Sequence, residues 1–355
     1  MRRRLRLRAS AALSVCAALA IALGACGGDD DGGDGGGESA SSGDQKRVRI
    51  AHFVVLQANP FEFAHIDEVK KTADKLGAEV KVFDANLDPQ AQEGQCRDAI
   101  ATQQYDAFLM KAVAGPTMVS CTKAAIDAGI KVVAVETPIG ERLDTLEPQV
   151  EGLSGSVLNL PAEYAEVTTK ITADACEGKD PCRIIHMFGS QQFTVPALWA
   201  DAFYKSIEAD HPNIQIVDKA ETHFDPDEAF NKTRQLLQVH KNVDAIVSDA
   251  DPASIGIWRA LGELNLQGKV KLLSDGGTRE GVEFVKNGDW FASPPNLPRS
   301  MGRRATEIAV AAVRGEDPGD TTVSIKRDLG AEFLSGIYTE EQLETFEPEW
   351  ELGTK

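Results

Sequence analysis

The strongest constraint on the fold is an alternation of short apolar segments with longer amphipathic ones, repeated in two successive series along the chain. The predicted strands, all short and apolar, are residues 48–55, 79–83, 107–110 and 131–135 in the first series and residues 183–188, 214–219, 245–248 and 270–274 in the second. Strands that alternate with helices pair in parallel, because each crossover helix returns the chain to the same end of the sheet. The sequence therefore predicts an α/β fold with two doubly wound parallel-sheet lobes.

The start of the chain has the order of a bacterial secretory signal. Arginines dominate residues 2–8, an uncharged run rich in Ala and Leu follows, and it ends in Leu23-Gly24-Ala25-Cys26. This ending resembles a lipobox, in which the cysteine is acylated and becomes the new N-terminus. Residues 26–46 are rich in Gly, Asp and Ser and lack the apolar surface needed to fold. We therefore expect a signal peptide over residues 1–25, lipid on Cys26, a flexible tether, and a location in the cell envelope, either anchored to the outer face of the cytoplasmic membrane or periplasmic.

With Cys16 in the signal peptide and Cys26 acylated, four cysteines remain, and an even number in an exported protein indicates disulfides. Right-handed crossovers place the second and third helices of the first series on the same sheet face, with Cys96 on one and Cys121 on the other. Cys176 and Cys182 flank a short turn. We predict the pairs Cys96–Cys121 and Cys176–Cys182, with free buried thiols as the alternative.

Charge and motif content exclude other classes of protein. The formal net charge is −18 and no basic stripe is present, so the phosphate backbone of a nucleic acid would be repelled. No Cys-x-x-Cys pair occurs and the six histidines are scattered, so we expect no metal. No phosphate-binding loop follows a strand, so we expect no cofactor. We also expect a monomer.

Six short motifs occur along the chain at positions that are typical of one protein family. They are Asn59-Pro60-Phe61, Leu76-Gly77-Ala78, the segment 128–133, Phe224-Asp225, Ser274-Asp275-Gly276 and Asn296-Leu297-Pro298. In this order and spacing, residues 48–326 resemble the ribose-binding-protein type of periplasmic binding protein. The resemblance implies two lobes joined by three hinge crossings near Ser154, Asn296 and Asp320. The N-terminal lobe would be residues 47–153 plus 297–320, and the C-terminal lobe residues 154–296 plus 321–355.

The same resemblance implies a function and a ligand site. It implies a substrate-binding protein of an ABC importer that takes a sugar or polyol between its lobes and delivers it to a membrane permease. Open α/β sheets bind ligands at the carboxyl ends of their strands. By matched position, the ligand-binding residues would be Asn59, Phe61, Glu136, Thr137, Phe193, Phe224, Asp251, Asp275 and Asn296. Phe61 and Phe224 would stack on the sugar, and the amides and acids would bond its hydroxyls.

At some positions the sequence departs from the family motif, and these departures are compatible with ligands other than a sugar. Thr137 follows Glu136 where the family commonly has arginine, and residues 189–203 contain no arginine. The sequence therefore predicts a pocket with acids but without those cations, and a small cationic ligand is the alternative within the same fold. The pair Asp249 and Asp251 would supply the charge for such a ligand, and Trp199 and Trp258 the aromatic faces. An envelope hydrolase is a third hypothesis, but the segment 152–156 lacks the last glycine of the Gly-x-Ser-x-Gly nucleophile motif, so we expect no enzyme.

Overall fold

A computed structural model describes residues 47–191, 194–329 and 340–353. The predicted signal peptide and tether, Cys26 and Phe193 lie outside these residues. The strands are β1 (Val48–Val54), β2 (Ala78–Asp84), β3 (Ala107–Met110), β4 (Lys131–Glu136), β5 (Gly155–Leu158), β6 (Cys182–Phe188), β7 (Ile214–Glu221), β8 (Ala245–Ser248), β9 (Lys271–Leu273) and β10 (Thr322–Ser324). The helices are α1 (Pro60–Lys75), α2 (Pro89–Thr102), α3 (Gly115–Asp127), α4 (Pro161–Ala175), α5 (Thr194–Asp210), α6 (Pro226–Val239), α7 (Asp251–Glu263), α8 (Arg279–Lys286), α9 (Pro298–Arg314) and α10 (Glu340–Thr345), with a π-helical turn at Ile325–Leu329.

The strands form two separate parallel sheets, which confirms the predicted α/β class. The first sheet has six strands in the order β10-β5-β4-β3-β1-β2, and the second has four in the order β7-β6-β8-β9. Every strand pair in both sheets is parallel. In the first sheet β1 lies between β2 and β3, and in the second sheet β6 lies between β7 and β8. Because the chain leaves each of these central strands to both sides, the connecting helices cover both faces of the sheet.

Each face of each sheet carries its own hydrophobic core. In the first sheet, α1 and α9 cover one face through residues such as Val69 and Ile308, and α2 and α3 cover the other. In the second sheet, α4 and α5 pack on one face, and α6 and α7 pack on the other. The chain between β9 and β10 thus returns α9 to the first lobe.

Local capping explains where several helices begin. Asn59, Asp88 and Asp225 each stand in extended backbone before a proline, and their side chains accept hydrogen bonds from the first free amide groups of α1, α2 and α6. Those amide groups have no partner inside the helix, so a side-chain acceptor there stabilises the start. No helix in the described part of the chain combines the length and apolar composition that a bilayer crossing requires.

The lobe boundaries differ from the predicted ones at two crossings. Residues 154–158 and 321–324 were assigned to the C-terminal lobe, but β5 and β10 both lie in the first sheet, with β5 pairing β4 and β10 pairing β5. The chain therefore crosses after Leu158 and after Ser324 rather than at Ser154 and Asp320, while the middle crossing remains beside Asn296. An apolar segment of three or four residues has the same composition whichever sheet it joins, so only the pairing decides its lobe.

The four cysteines lie in the predicted pairs. Cys96 and Cys121 connect α2 and α3 with Cα atoms 6.3 Å apart, and Cys176 and Cys182 stand on either side of the turn before β6 with Cα atoms 5.6 Å apart. Both separations fall in the range that a disulfide spans. All four side chains are buried in the cores of their lobes.

Candidate functional site

The strand orders locate the crevice where this fold can hold a ligand. The chain order reverses between β1 and β3 in the first sheet and between β6 and β8 in the second. At such a reversal the connections leave in opposite directions, which opens a crevice outside the carboxyl ends of the strands. Phe61 and Lys111 follow β1 and β3, whereas Gly189 and Asp249 follow β6 and β8.

In the first lobe, a buried lysine joins two carboxylates at this edge. Lys111 follows the apolar strand β3 directly and is 1% exposed. Its Nζ donates to Oε1 of Glu62, in the first turn of α1, and lies 2.9 Å from Oε2 of Glu136 at the end of β4. Glu62 is 2% exposed, whereas the Glu136 side chain keeps 15% of its surface accessible. Two acids therefore share one cation, which balances one of their two negative charges.

Burial shifts the titration of this cluster. Desolvation raises the pKa of Glu62 to about 7, with Glu136 adding to the rise and Lys111 opposing it. Burial alone would lower the pKa of Lys111, but Glu136 and Glu62 outweigh it and raise that pKa. Behind the lysine, burial lowers the pKa of His52 to about 4 and that of His65 well below its usual range. Both rings are therefore neutral at pH 7 and add no positive charge.

The ring of Phe61 lies against this charge cluster. Its ring centroid is 4.8 Å from Nζ of Lys111 and 5.5 Å from the ring of Trp350, which meets it edge-on. Asn59 is the N-cap of α1, and its Oδ1 accepts from the amide of Glu62 at 2.8 Å. Asn59 therefore has a structural role in addition to the predicted ligand contact, because its side-chain oxygen stabilises the first turn of α1, which carries Phe61.

A second charge cluster lies at the middle crossing. Asp275 follows β9 and is 2% exposed. Its Oδ1 accepts from Nδ2 of Asn296, and its Oδ2 lies 3.3 Å from Nζ of Lys326, which also donates to the carbonyl oxygen of Pro295 at 3.1 Å. Desolvation raises the pKa of Asp275 to about 6, against the opposing effect of Lys326. The structure thus brings two predicted site residues, Asp275 and Asn296, into direct contact.

Phe224 lies at the carboxyl edge of the second sheet, and glycine makes room for it. Phe224 has φ of 59°, and its ring lies against Gly189, the residue after β6. A Cβ on residue 189 would stand 2.1 Å from Cζ of Phe224, so only glycine fits there. The Gly189 amide donates to Oδ2 of Asp249 at 3.2 Å, which holds the loop against β8.

Asp251 differs from its predicted role as a ligand contact. Its carboxylate accepts from Oγ of Ser274 at 2.5 Å, Oγ of Ser293 at 2.7 Å, and both the amide and the hydroxyl of Thr278 at 2.9 and 2.7 Å. A carboxylate has about four acceptor positions, and these donors fill them. Asp251 is fully buried and anchors the loops of the second lobe instead of facing a ligand.

Two other residues of the sequence analysis also have structural roles. Thr137 is 2% exposed, and its amide donates to the carbonyl oxygen of Val135 at 2.7 Å in the turn after Glu136. Asp249 accepts from the hydroxyl of Tyr164 at 2.6 Å and lies 2.7 Å from Nε2 of His186. Neither acid of the Asp249 and Asp251 pair is therefore free to meet a cation.

Sequence reasoning missed the two lysines, and they correct the expectation of a pocket without cations. Lys111 carried a signal, because a charged residue directly after a fully apolar strand stands at the ligand-binding edge. Lys326 carried none, since it lies in the π-helical turn after β10 and the residues before it, Thr322–Ile325, are not a fully apolar strand. Within the described residues, no group of three or more His, Cys, Asp or Glu is arranged to hold a metal ion.

Comparisons with known proteins agree with this architecture. A profile of the family described as periplasmic binding protein domain matches residues 50–317. The ribose import binding protein RbsB of Salmonella typhimurium is 23% identical over 282 residues, which are 78% of this chain and 89% of that protein. The fructose import binding protein FruE of Bifidobacterium longum is 20% identical over 281 residues, which are 78% of this chain and 81% of that protein.

Solved structures show the same fold. An ABC transporter solute-binding protein from Mycobacterium smegmatis with bound glycerol has a TM-score of 0.65 and 27% identity, covering 78% of this chain and 92% of that one. A periplasmic solute-binding protein from Actinobacillus succinogenes with bound D-allose has a TM-score of 0.70 and 20% identity, covering 84% and 100%. The named relatives are import binding proteins and not enzymes. The resemblance found in the sequence is confirmed, and the chain belongs to the periplasmic binding protein domain family.

Proposed function

We propose that this protein is a lipid-anchored, extracytoplasmic binding protein that holds a neutral monosaccharide or polyol between its lobes and delivers it to an ABC importer. The relatives support an import role, since they are named for ribose and fructose import. The glycerol-bound structure, at 27% identity, supports a polyol. The same proposal includes a membrane permease as the partner that receives the ligand, and a monomeric binding protein.

The charge balance of the two clusters carries the choice of a neutral ligand. Lys111 lies between Glu62 and Glu136, and Lys326 lies beside Asp275. With Glu62 near its pKa of about 7, neither cluster offers a full uncompensated charge to a ligand. A neutral polyol keeps this balance and exchanges hydroxyl hydrogen bonds with the carboxylate oxygens. An ionic ligand would leave a buried charge without a partner, which is costly in a desolvated cleft.

The cationic alternative has less support from the contacts. It relied on Asp249, Asp251 and the tryptophans Trp199 and Trp258. Both acids are already occupied by buried donors, Trp199 stacks on Tyr164 at 4.7 Å, and Trp258 packs edge-on against Phe284 in the core of the second lobe. The contacts of these side chains are therefore made within the second lobe.

Isothermal calorimetry with a chemically matched panel tests the ligand class. The panel contains glycerol, myo-inositol, D-ribose and D-allose as neutral compounds, choline as a cation and D-gluconate as an anion. We expect binding of at least one neutral compound and none of the ions. Binding of choline or gluconate with no neutral compound bound would overturn the proposal.

Paired variants then test the site. Phe61→Ala removes the stacking ring and should weaken binding of the ring compounds, whereas Phe63→Ala on the same helix removes a ring that is 56% exposed and should leave affinity unchanged. Glu136→Gln removes a charged acceptor and should cost about 1.5–3 kcal/mol of binding free energy. Glu141→Gln, at an exposed position, is its control. Normal affinity in both site variants would place the ligand elsewhere.

Lipid anchoring has a separate test. Cys26→Ser removes the acylated thiol of the Leu23-Gly24-Ala25-Cys26 motif. The variant should accumulate unprocessed or lose its partition into detergent, which phase separation and immunoblotting of whole cells would measure. Partition into detergent equal to that of the parent protein would refute the anchor without affecting the ligand proposal.

A further inference from the structure

The C-terminal segment Glu349–Leu352 lies beyond the residues that match the family and contacts both lobes beside the middle crossing. We propose that this segment, here called the C-terminal tie, is part of the binding site, with Trp350 as a positioning residue that holds Phe61 of the first lobe and the Asp275–Gly276 turn of the second. This inference rests on the proposed function, because it concerns the same cleft.

Glu349 attaches the tie to the first lobe by capping α9. The N-cap residue of α9, Leu297, has no side-chain acceptor, so the first amide groups of this helix need a partner from elsewhere. Oε2 of Glu349 accepts from the amides of Arg299 and Ser300 at 2.8 and 3.0 Å, and its Oε1 accepts from the Ser300 hydroxyl. The carbonyl oxygen of Glu349 accepts from Nε of Arg299 at 2.7 Å.

Trp350, the next residue, attaches the tie to the second lobe. Its carbonyl oxygen accepts from the amide of Arg279, the first residue of α8, at 3.1 Å. Its Nε1 donates to the carbonyl oxygen of Gly276 at 2.9 Å. Adjacent Cα atoms are always about 3.8 Å apart, so two consecutive residues bound to different lobes limit how far α8 and α9 can separate.

The side chain of Trp350 links this restraint to the ligand residues. It is 8% exposed, its ring meets Phe61 edge-on at 5.5 Å, and its Nε1 holds the residue next to Asp275. One indole therefore contacts the predicted stacking ring of one lobe and the turn that carries the predicted acceptor of the other. Its loss should disturb ligands that use the Phe61 ring more than ligands that do not.

Calorimetry with myo-inositol and D-allose as ring probes and glycerol as an open-chain probe tests this role. Trp350→Leu removes the ring that meets Phe61 as well as the Nε1 donor, so we expect about two- to tenfold weaker binding of the ring probes. Glycerol has no ring face to stack on Phe61, so it should lose only the effect of the Gly276 contact and weaken less than the ring probes. Trp290→Leu is the matched control, because this indole stacks on Phe284 in the core of the second lobe and its buried Nε1 has no hydrogen-bond partner among the described residues.

Hydrogen exchange tests the tie without any ligand. Glu349→Ala removes both acceptor oxygens, so the amides of Arg299 and Ser300 should exchange faster. Glu351→Ala removes an ion pair with exposed Arg279 and should leave that exchange unchanged. If the parent protein binds none of the four neutral compounds of the panel, the proposed function fails, and the exchange comparison still decides whether the tie exists. Unchanged exchange in Glu349→Ala, or an unchanged ratio of ring to glycerol affinity in Trp350→Leu, would overturn the inference.

Discussion

Replacing Lys111 with methionine should destabilise the protein because it leaves two acids without their cation. Methionine has nearly the length of lysine, so packing is largely kept while the charge is lost. Lys111 and Glu62 are almost fully buried, and removing one partner of a buried ion pair costs about 3–5 kcal/mol of unfolding free energy. At about 2–4 °C per kcal/mol for a chain of this size, the melting temperature should fall by on the order of 10 °C.

The pH dependence of this loss identifies its cause. The pKa of Glu62 is raised in the folded state from its ordinary 4.5 to about 7, so the folded protein holds that proton more tightly than the unfolded chain. The unfolding free energy contributed by Glu62 is therefore highest below pH 4.5 and falls as pH rises toward 7. Without Lys111 the folded pKa should rise further, so the cost of Lys111→Met should be largest near pH 8 and small near pH 5.

Urea unfolding followed by circular dichroism at pH 5 and pH 8 measures both quantities. Lys123→Met, on the exposed side of α3, is the control and should stay within about 0.5 kcal/mol of the parent protein. Adding Glu62→Gln to Lys111→Met removes the uncompensated charge and should restore much of the loss. A Lys111→Met protein within about 1 kcal/mol of the parent at pH 8, or an equal cost at both pH values, would refute the reasoning.

Three further predictions concern other parts of the molecule. The pKa of Asp275 is about 6, so affinity for a neutral polyol that bonds its carboxylate should rise as pH increases through 6, and Asp275→Asn should remove that dependence in calorimetry; a parent protein with pH-independent affinity between 5 and 7 would contradict this. Gly189→Ala should displace Phe224 and cost about 1–3 kcal/mol of unfolding free energy in urea titration, because a Cβ cannot fit beside that ring; unchanged stability would mean that the ring moves freely. The pair Cys96 and Cys121 should appear as a disulfide in peptide mapping without reduction, and its loss should cost about 3 kcal/mol, because it closes a loop with a sequence separation of 25; free thiols at both positions would refute it.

Local chemistry made most of the fold predictable. The alternation of apolar strands with capped helices depends on neighbouring residues, and Asn59, Asp88 and Asp225 cap the helices that their sequence context indicates. The pairing of Cys96 with Cys121 followed from the handedness of the crossovers, which is a general property of parallel sheets. Short strands were the exception, since β5 and β10 have no composition that assigns them to one lobe.

The candidate site was predictable only in part, and for a physical reason. The residues that end strands, such as Glu136 and Asp275, could be placed at the cleft from the sequence, because the carboxyl ends of parallel strands meet at one edge. Whether an acid at that edge faces a ligand or is already occupied depends on groups distant in the chain. The sequence by itself determined the two α/β lobes and the edge that carries the site, because these follow from short-range periodicity and handedness. Only the tertiary structure decided that Lys111 and Lys326 neutralise the acids and that Trp350 contacts both lobes, because those contacts depend on packing between distant segments.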